Sequence, residues 1–472
     1  MKRVLQFFVV AALGALLTPV LASASPRMHV GFHDDPNFRY EERRALMLDQ
    51  AVDANTTIVR TLVTWANIAP TRPANASNSF DKAYRFNDLD ELVRNTQERD
   101  MEVLITIWGT PKWANGGKTP NFLPTKMSDM TAFSRAVASR YSGRFAGFPF
   151  VRFYSIWNES NLQLFLTPQF DAKGKSVGPR NYARLAAAAY SGIKAGNAGA
   201  KVAVGSTSSN GRDKVLKGKS DTHSPARFAR LVAAANPRLK FDAWAQHPYP
   251  VPVSQKPTQK VRYPNVTLTS FPRFAKDLDT WFKRKNVRIW ITEYGHEVKQ
   301  DGEPNGISRA AQASYAAQAL ALAKNDPRTD MFIWFVFRDH ATSDWQSGLR
   351  TISGFAKPSL AKFRLAARSA DARNAVVTVR GGIANPTVPV ALRAYAAGTK
   401  PGERVGFTVR VFDGKKLIAV SQPTAPFGRD ASARVRLGFK PVKKKTYTVQ
   451  LEANVFSGGG VMLKRTLTLI AA

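Results

Sequence analysis

Two glutamates, each at the end of an apolar and β-prone run, are the residues of this chain best suited to chemistry. Glu159 follows the run that begins at Phe153, and Glu293 follows the run that begins at Ile289. Two carboxyl groups roughly 5–5.5 Å apart can cleave an acetal bond, because one protonates the leaving oxygen while the other attacks the neighbouring carbon. The glutamates are 134 positions apart in the sequence. Only the tertiary fold could bring them together.

Aromatic residues near predicted strand ends are natural platforms for a sugar ring, because C–H faces stack on aromatic faces. The candidates are Trp65, Trp108, Trp113 and Trp345. Each ring could equally belong to the core, but Trp113 and Trp345 are favoured because Pro, Asn or Ser residues surround them. At the end of the first predicted strand, His33, Asp34 and Asp35 either bind sugar hydroxyls or form a solvated turn.

The elements that must position these residues alternate between short β-rich runs and amphipathic helical runs. The sequence predicts eight strands, at His29–His33, Thr56–Leu62, Met101–Trp108, Phe153–Trp157, Lys201–Gly205, Phe241–His247, Val287–Thr292 and Met331–Phe337. It predicts eight helices, at Tyr40–Asp53, Asn87–Asp100, Met127–Tyr141, Pro179–Ala195, Pro225–Ala235, Ser270–Lys285, Ser308–Lys324 and Lys357–Arg368. Ser128 and Ser308 are predicted N-caps.

This alternation predicts an α/β fold, a (β/α)8 TIM barrel over residues 25–368, in which both glutamates would lie at the C-terminal ends of strands. Near residues 367–375 the pattern changes to short alternating runs with Gly-rich turns. Residues 373–472 are therefore predicted to form a small all-β sandwich domain of about seven strands.

The string Ile156-Trp157-Asn158-Glu159, together with Thr292-Glu293-Tyr294-Gly295, resembles the clan A glycoside hydrolases over residues 29–366. The resemblance implies that Glu159 is the acid/base and Glu293 the nucleophile of a retaining mechanism. Four further positions match the clan pattern, with implied roles in binding substrate or in keeping the nucleophile ionised: Arg60, Asn158, His247 and Tyr249.

The segment Thr110–Ala114 is most similar to the neighbourhood of families 39 and 5. Family 5 members usually carry a histidine at the end of the third strand, where this chain has Trp108-Gly109-Thr110, and this departure favours the family 39 side. The clan's tryptophan on strand eight matches Trp334. Phe337, Arg338 and Trp345 are alternative candidates for the residue that forms the floor of the substrate site.

Residues 1–24 are predicted to be a signal peptide. Lys2 and Arg3 precede the apolar run Val4–Leu17, and Ala22-Ser23-Ala24 fits the small-residue cleavage rule. The run is short for a membrane span of ~20 residues, so an uncleaved anchor is the lesser alternative. We therefore expect secretion after cleavage near Ala24, to the medium or the cell wall, with no membrane span.

The chain of 472 residues carries a formal charge of +35 and no cysteine. The absence of cysteine excludes disulfides and thiolate nucleophiles. Residues 373–472 hold 17 Lys and Arg against four Asp and Glu, which suits an anionic wall polymer or reflects composition alone. Neither a phosphate-binding loop nor a metal-ligand pattern is present, so no cofactor, metal or nucleic-acid substrate is expected.

The sequence thus predicts a secreted retaining glycoside hydrolase that cleaves O-glycosidic bonds in a polysaccharide or oligosaccharide, with β-linked bonds favoured. The alternative is a non-catalytic carbohydrate- or cell-wall-binding protein on the same scaffold. The identity of the sugar, its linkage and endo or exo action depend on loop shapes that the sequence leaves open.

Overall fold

The computed structural model describes residues 28–145, 147–301, 304–371, 375–377, 385–391, 402–428, 432–455 and 461–471. The predicted signal peptide lies outside these ranges. Within them, no helix is long and apolar enough to cross a membrane.

Eight parallel strands close into a barrel in the order β1-β8-β7-β6-β5-β4-β3-β2. They are β1 (His29–His33), β2 (Ile58–Thr64), β3 (Glu102–Trp108), β4 (Phe153–Ile156), β5 (Lys201–Thr207), β6 (Ala243–Gln246), β7 (Arg288–Tyr294) and β8 (Thr329–Phe335). Each overlaps the strand predicted from the sequence. The α/β barrel prediction is confirmed.

Eight helices of ten or more residues connect and cover the strands: α1 (Arg44–Asp53), α2 (Asn87–Glu98), α3 (Met127–Arg140), α4 (Gly178–Gly196), α5 (Pro225–Ala235), α6 (Phe271–Trp281), α7 (Arg309–Asn325) and α8 (Pro358–Ser369). The described residues also form single-turn helices at Trp65–Ile68 and Lys112–Asn115, after β2 and β3. Ser308 caps α7 as predicted, because its hydroxyl accepts the Ala311 N–H at 3.1 Å. The predicted cap at Ser128 is wrong, since α3 already begins at Met127.

The barrel interior is layered from apolar to polar along the strands. Near the N-terminal end lies a buried cluster of Ile58, Leu104, Phe153, Ala203, Ala243, Ala245, Trp290, Met331 and Ile333. Side chains two positions further along a strand point the same way. Arg60, Thr106, Ser155 and Thr292 therefore form the next layer, fully buried and hydrogen-bonded. The apolar layer supports this polar layer from below.

The C-terminal part contains only strands among its described residues, as predicted. One sheet has the order β9-β16-β15-β11-β12, with the short strand β13 also paired to β11, and β10 pairs with β14 in a second sheet. These strands are β9 (Ala375–Val377), β10 (Thr387–Ala391), β11 (Arg404–Asp413), β12 (Lys416–Ser421), β13 (Thr424–Pro426), β14 (Ser432–Arg436), β15 (Thr446–Val455) and β16 (Val461–Ala471). β13 was not predicted.

A short hairpin of the barrel, Ser142–Phe145 with Phe148–Phe150, was also not predicted. It places Phe150 in the apolar cluster of the C-terminal strands. Arg465 on β16 forms an ion pair with Asp100, which lies in the turn before β3. The β domain therefore packs against the N-terminal end of the barrel, away from the ends of the strands that carry the glutamates.

Candidate active site

Both glutamates lie at the C-terminal end of the barrel. Glu293 is the next-to-last residue of β7, and Glu159 lies three residues beyond β4. The chain after β4 turns sharply, with Trp157 and Glu159 in the left-handed region at φ 71° and 34°. Such conformations are uncommon for residues other than glycine and concentrate at functional sites. The turn directs Glu159 towards the barrel axis.

His247, directly after β6, joins the two carboxyl groups. Its Nδ1 lies 3.1 Å from Glu159 Oε1 and 3.4 Å from Glu293 Oε2. Its Nε2 lies 3.0 Å from the hydroxyl of Thr292 on β7. One ligand atom from each of Glu159, His247 and Glu293 falls within 4.8 Å of the others. The fold therefore brings together three residues that are far apart in the sequence.

Arg60 holds Glu293 from the opposite side. Its guanidinium is fully buried and forms an ion pair with Glu293 Oε1. It also donates to Asn158 Oδ1 at 2.8 Å and to Thr106 Oγ1 at 2.9 Å, so each arm of the planar group is fixed. Tyr249 completes the shell by donating its hydroxyl to Glu293 Oε2 at 3.4 Å. The residues at β2, β4, β6 and β7 that matched the clan pattern therefore all lie around the Glu293 carboxyl group.

The electrostatic surroundings of Glu293 favour its charged form. Burial alone would raise the pKa of this carboxyl, but the charges of His247 and Arg60 and the neighbouring His33 hold the pKa well below its usual range. Burial, followed by the charges of Glu293 and Glu159, raises the pKa of Tyr249 well above its ordinary value, so the Tyr249 hydroxyl keeps the proton that it donates.

His33, at the end of β1, is a closer neighbour of the nucleophile candidate than the sequence suggested. Its Nδ1 lies 2.9 Å from Arg60 Nη1 and 3.6 Å from Glu293 Oε1. Its Nε2 lies 3.4 Å from Asp35, which accepts the Thr61 hydroxyl at 2.6 Å. His33 and Asp35 are therefore part of the site and not a solvated turn. The feature of the sequence that could have indicated this is their position at the end of a predicted parallel strand.

Two of the predicted aromatic platforms lie next to the site. The Trp345 ring packs edge-on against Tyr249 at 5.5 Å, and its indole N–H donates to Ser347 Oγ at 2.9 Å. Trp108, at the end of β3, contacts Trp157 at 6.2 Å. Both rings are only partly buried. They retain surface that a ligand can reach.

The other three predicted aromatic residues have different surroundings. Trp65 is fully buried. Trp113 is partly buried, but the Arg72 guanidinium lies 4.3 Å from its ring and Trp65 makes a T-shaped contact with it at 5.6 Å. Trp334 is fully buried against Phe363 of α8, and its indole N–H donates to the Ser347 carbonyl at 2.9 Å. Trp334 therefore points out of the barrel into the core and has no surface for a sugar.

The next residue on β8, Phe335, takes the inward position expected of Trp334. Its ring is 5.2 Å from His33 and 6.3 Å from Trp345, and it is only partly buried. The side chains of successive strand residues point to opposite faces of the sheet. A shift of one position therefore decides whether a side chain packs in the core or faces the site. The apolar run Met331–Phe337 offered no polar residue with which to fix that register.

Glu159, His247 and Glu293 are also close enough to hold a metal ion together, as carboxylate and imidazole groups do in metalloproteins. Arg60 competes for this role, because it already neutralises Glu293 with a fixed cation. The expectation that no metal is required stays a prediction.

Several solved structures share this fold. A family 39 glycoside hydrolase from Bacteroides cellulosilyticus WH2 aligns with a TM-score of 0.51 and 16% identity, over 88% of this chain and 80% of that one. GH5_18 from Streptomyces cattleya, in complex with GlcNAc, aligns with a TM-score of 0.53 and 17% identity, over 76% and 86%. A variant of that protein in complex with Manβ1-4GlcNAc gives 0.53 and 18% over the same shares.

A search of curated proteins gave no significant match. The model of a protein family described as cellulase (glycosyl hydrolase family 5) matches residues 31–336, about two thirds of the chain. The matched range spans β1 to β8 with Arg60, both glutamates and His247. Although the residues after β3 had favoured family 39, the chain belongs to glycosyl hydrolase family 5 and is a glycosidase with the clan A barrel.

Proposed function

We propose that this protein hydrolyses a glycosidic bond with retention of configuration, with Glu293 as nucleophile and Glu159 as acid/base. The proposal rests on the difference between the surroundings of the two carboxyl groups. Glu293 forms an ion pair with a buried arginine, whereas the only hydrogen bond of the Glu159 carboxyl group among the described residues is to His247. One carboxyl is held charged, as an attacking group must be.

The short distance between the carboxyl groups supports retention over inversion. Their nearest oxygens lie within 4.8 Å of one another. Retaining glycosidases place the two groups about 5–5.5 Å apart, whereas inverting enzymes need roughly 6.5–9.5 Å to admit a water molecule. At the separation found here, the second carboxyl can reach the anomeric carbon directly.

The proposed reaction has two displacement steps. A Glu293 oxygen bonds to the anomeric carbon while the bond to the leaving oxygen breaks, and that oxygen takes the proton of Glu159. Glu159, now ionised, then removes a proton from water, whose oxygen displaces Glu293 and regenerates both groups. Arg60 and Tyr249 keep Glu293 in position during attack and departure.

The first test compares wild-type protein with Glu293→Gln and Glu159→Gln on an aryl β-glycoside. We expect each variant to lose at least about 10³-fold in kcat while its circular dichroism is unchanged. Azide should restore turnover to truncated variants at both positions, giving an α-azide for Glu293→Ala and a β-azide for Glu159→Ala. Wild-type rates in either glutamine variant would refute the assignment, and an EDTA-sensitive rate would indicate a metal.

We further propose a β-linked polysaccharide or oligosaccharide as the substrate. Support comes from the family and from Manβ1-4GlcNAc in a structure that shares the fold. Digestion of a panel of plant, fungal and bacterial glycans, read by mass spectrometry with Glu293→Gln in parallel, tests this. Products that only wild type releases identify the substrate, and proton NMR of the first-formed anomer tests retention. Binding without cleavage by wild type would favour the non-catalytic alternative.

We also propose that the protein is secreted, on the basis of the basic, apolar and small-residue segments of positions 1–24. Expression of the full chain in a bacterium, followed by mass spectrometry of extracellular and cell-bound protein, tests this. A mature form that begins at Ser25 supports cleavage after Ala24. An intact N-terminus on membrane-bound protein would indicate an anchor.

A further inference from the structure

A concave basic surface lies at the end of the barrel opposite the glutamates. It is a cleft of about 650 Å³ at the starts of β6 and β7. Its wall includes Tyr190 and Phe241, and its rim carries four exposed cations, Arg238, Lys240, Lys283 and Arg284. We call these four residues and the space between them the basic cleft.

The charge of the basic cleft is not neutralised by the protein. The single carboxylate that lines it is Asp242, which lies 3.5 Å from Lys201 Nζ and accepts the Val202 N–H at 2.9 Å. None of the four cations of the cleft forms an ion pair within the described part of the chain. By contrast, Arg288 at the same end of the barrel is paired with Asp330. The excess positive charge is therefore local.

Arg284 gives the cleft a preformed recognition group. Its Nη1 donates to the Phe241 carbonyl at 2.7 Å, and its guanidinium lies over the Phe241 ring, 4.3 Å from the centroid. Stacking on a ring holds the planar guanidinium in place, and a fixed guanidinium binds carboxylates with less loss of side-chain freedom than a mobile lysine does. The remaining N–H groups of the Arg284 guanidinium make no other hydrogen bond among the described residues.

The basic β domain adjoins this end of the barrel. Asp100, the partner of Arg465, and Phe150, which enters the core of the β domain, both lie just before barrel strands begin. The β domain also exposes Lys443 and Lys444. Cations from both parts of the molecule therefore lie on the side away from the catalytic mouth, and together they attract extended polyanions.

We propose that the basic cleft binds a carboxylate-bearing polysaccharide, which tethers the enzyme by the end of the barrel that faces away from Glu159 and Glu293. A polyanion fits because the cleft is open, cationic and rimmed by long side chains. A polysaccharide is favoured over nucleic acid because a glycosidase works among glycans, an argument that rests on the proposed function and on the proposed secretion. Tethering at this end leaves the mouth free for substrate.

The test uses the full mature chain and polygalacturonate, with binding measured by affinity electrophoresis and sedimentation at 50 and 500 mM NaCl. The cleft variant is Arg238→Gln/Lys240→Gln/Lys283→Gln, which keeps Arg284 and its structural contacts. The matched control, Lys214→Gln/Lys217→Gln/Lys219→Gln, removes the same charge from exposed lysines in the loop after β5, at the catalytic end.

We expect wild type to bind in low salt and to be released by high salt, because binding displaces counterions. The cleft variant should bind about tenfold more weakly with a smaller salt slope, whereas the control triple should keep most of the affinity. Turnover of a small aryl glycoside should be equal in all three proteins. Equal losses in the two triples, no loss in the cleft variant, or tighter binding to duplex DNA than to polygalacturonate would overturn the proposal.

Discussion

Glu293 combines a mostly buried side chain, 12% exposed, with a carboxylate charge, a combination that is costly unless opposite charges surround it. Arg60 meets this need from below and His247 from the side, and Asn158 and Thr106 in turn fix the guanidinium. Because these neighbours keep Glu293 ionised, the nucleophile candidate needs no proton transfer before attack. The charge is set by the folded barrel, before any substrate arrives.

Replacing Arg60 should therefore change the pH dependence as well as the rate. In Arg60→Gln the burial that raises the pKa of Glu293 persists, while one of the charges that lower it is lost. The pKa rises, so the nucleophile becomes protonated at a higher pH during acidification. We expect the acidic limb of kcat/KM to move upward by at least about one pH unit. An unchanged acidic limb in Arg60→Gln would show that another group sets it.

The two tryptophans favoured from the sequence should behave differently. Trp345→Ala removes a partly exposed ring beside Tyr249 and should lower kcat/KM for an oligosaccharide up to about tenfold, since aromatic packing contributes ~0.5–1.5 kcal/mol. Trp113→Ala removes a ring already covered by Arg72 and Trp65, so it should lower the melting temperature while kcat/KM stays within twofold. The reverse pattern would make Trp113 the platform.

At the scale of elements, β1 and β8 are the strands that close the barrel, and Asp34 ties their ends together. Its Oδ2 accepts the N–H groups of Phe337 and Arg338 at 3.1 and 3.0 Å, and the side chain of Asn37 donates to both carboxylate oxygens. The carboxyl is buried, and burial raises its pKa to about 6 in spite of these donors. The positions of His33 and Phe335, the last residues of β1 and β8, depend on this connection.

The raised pKa of Asp34 predicts that its contribution to the stability of the folded protein decreases as the pH rises. The folded state binds the Asp34 proton more tightly than the unfolded chain does, so its contribution is complete below the unfolded pKa of 3.8 and is lost as pH rises through about 6. The free-energy difference between wild type and Asp34→Asn should therefore shift by about 3 kcal/mol in favour of the variant from pH 3.5 to 7.5. Urea unfolding at both pH values measures it. A difference independent of pH would contradict the raised pKa.

At the scale of the whole molecule, the barrel and the β domain are joined by apolar packing at one end. Phe150 is almost fully buried and belongs to the same cluster as Val409, Val449 and Leu469 of the β domain. The barrel hairpin thus supplies a core residue to the other domain. Glu159 and Glu293 lie at the far end of the barrel, away from this junction.

Phe150→Ala should weaken this junction. Removing a buried phenylalanine typically costs about 3–5 kcal/mol. We expect calorimetry of the variant to resolve the unfolding of the β domain below that of the barrel, while the rate on an aryl glycoside stays near that of wild type at 25 °C. Phe80→Ala is the control, because it removes a half-exposed ring that packs on Phe145 and Phe148 of the same hairpin but lies outside the apolar cluster of the β domain. A single unshifted transition in Phe150→Ala would show that the domains are held together by other contacts.

The sequence by itself determined the barrel, and it predicted a boundary near residue 370 and a site built on the two glutamates. These predictions rest on local patterns: strand and helix periods, and polar residues at strand ends. Only the tertiary structure decided that Phe335 and not Trp334 faces the site, that His33 reaches Arg60, and that Trp113 is covered. The first depends on which face of a strand points into the barrel, and the other two depend on contacts between segments that are distant in the sequence. Local periodicity determines neither the inward face of an all-apolar strand nor such distant contacts.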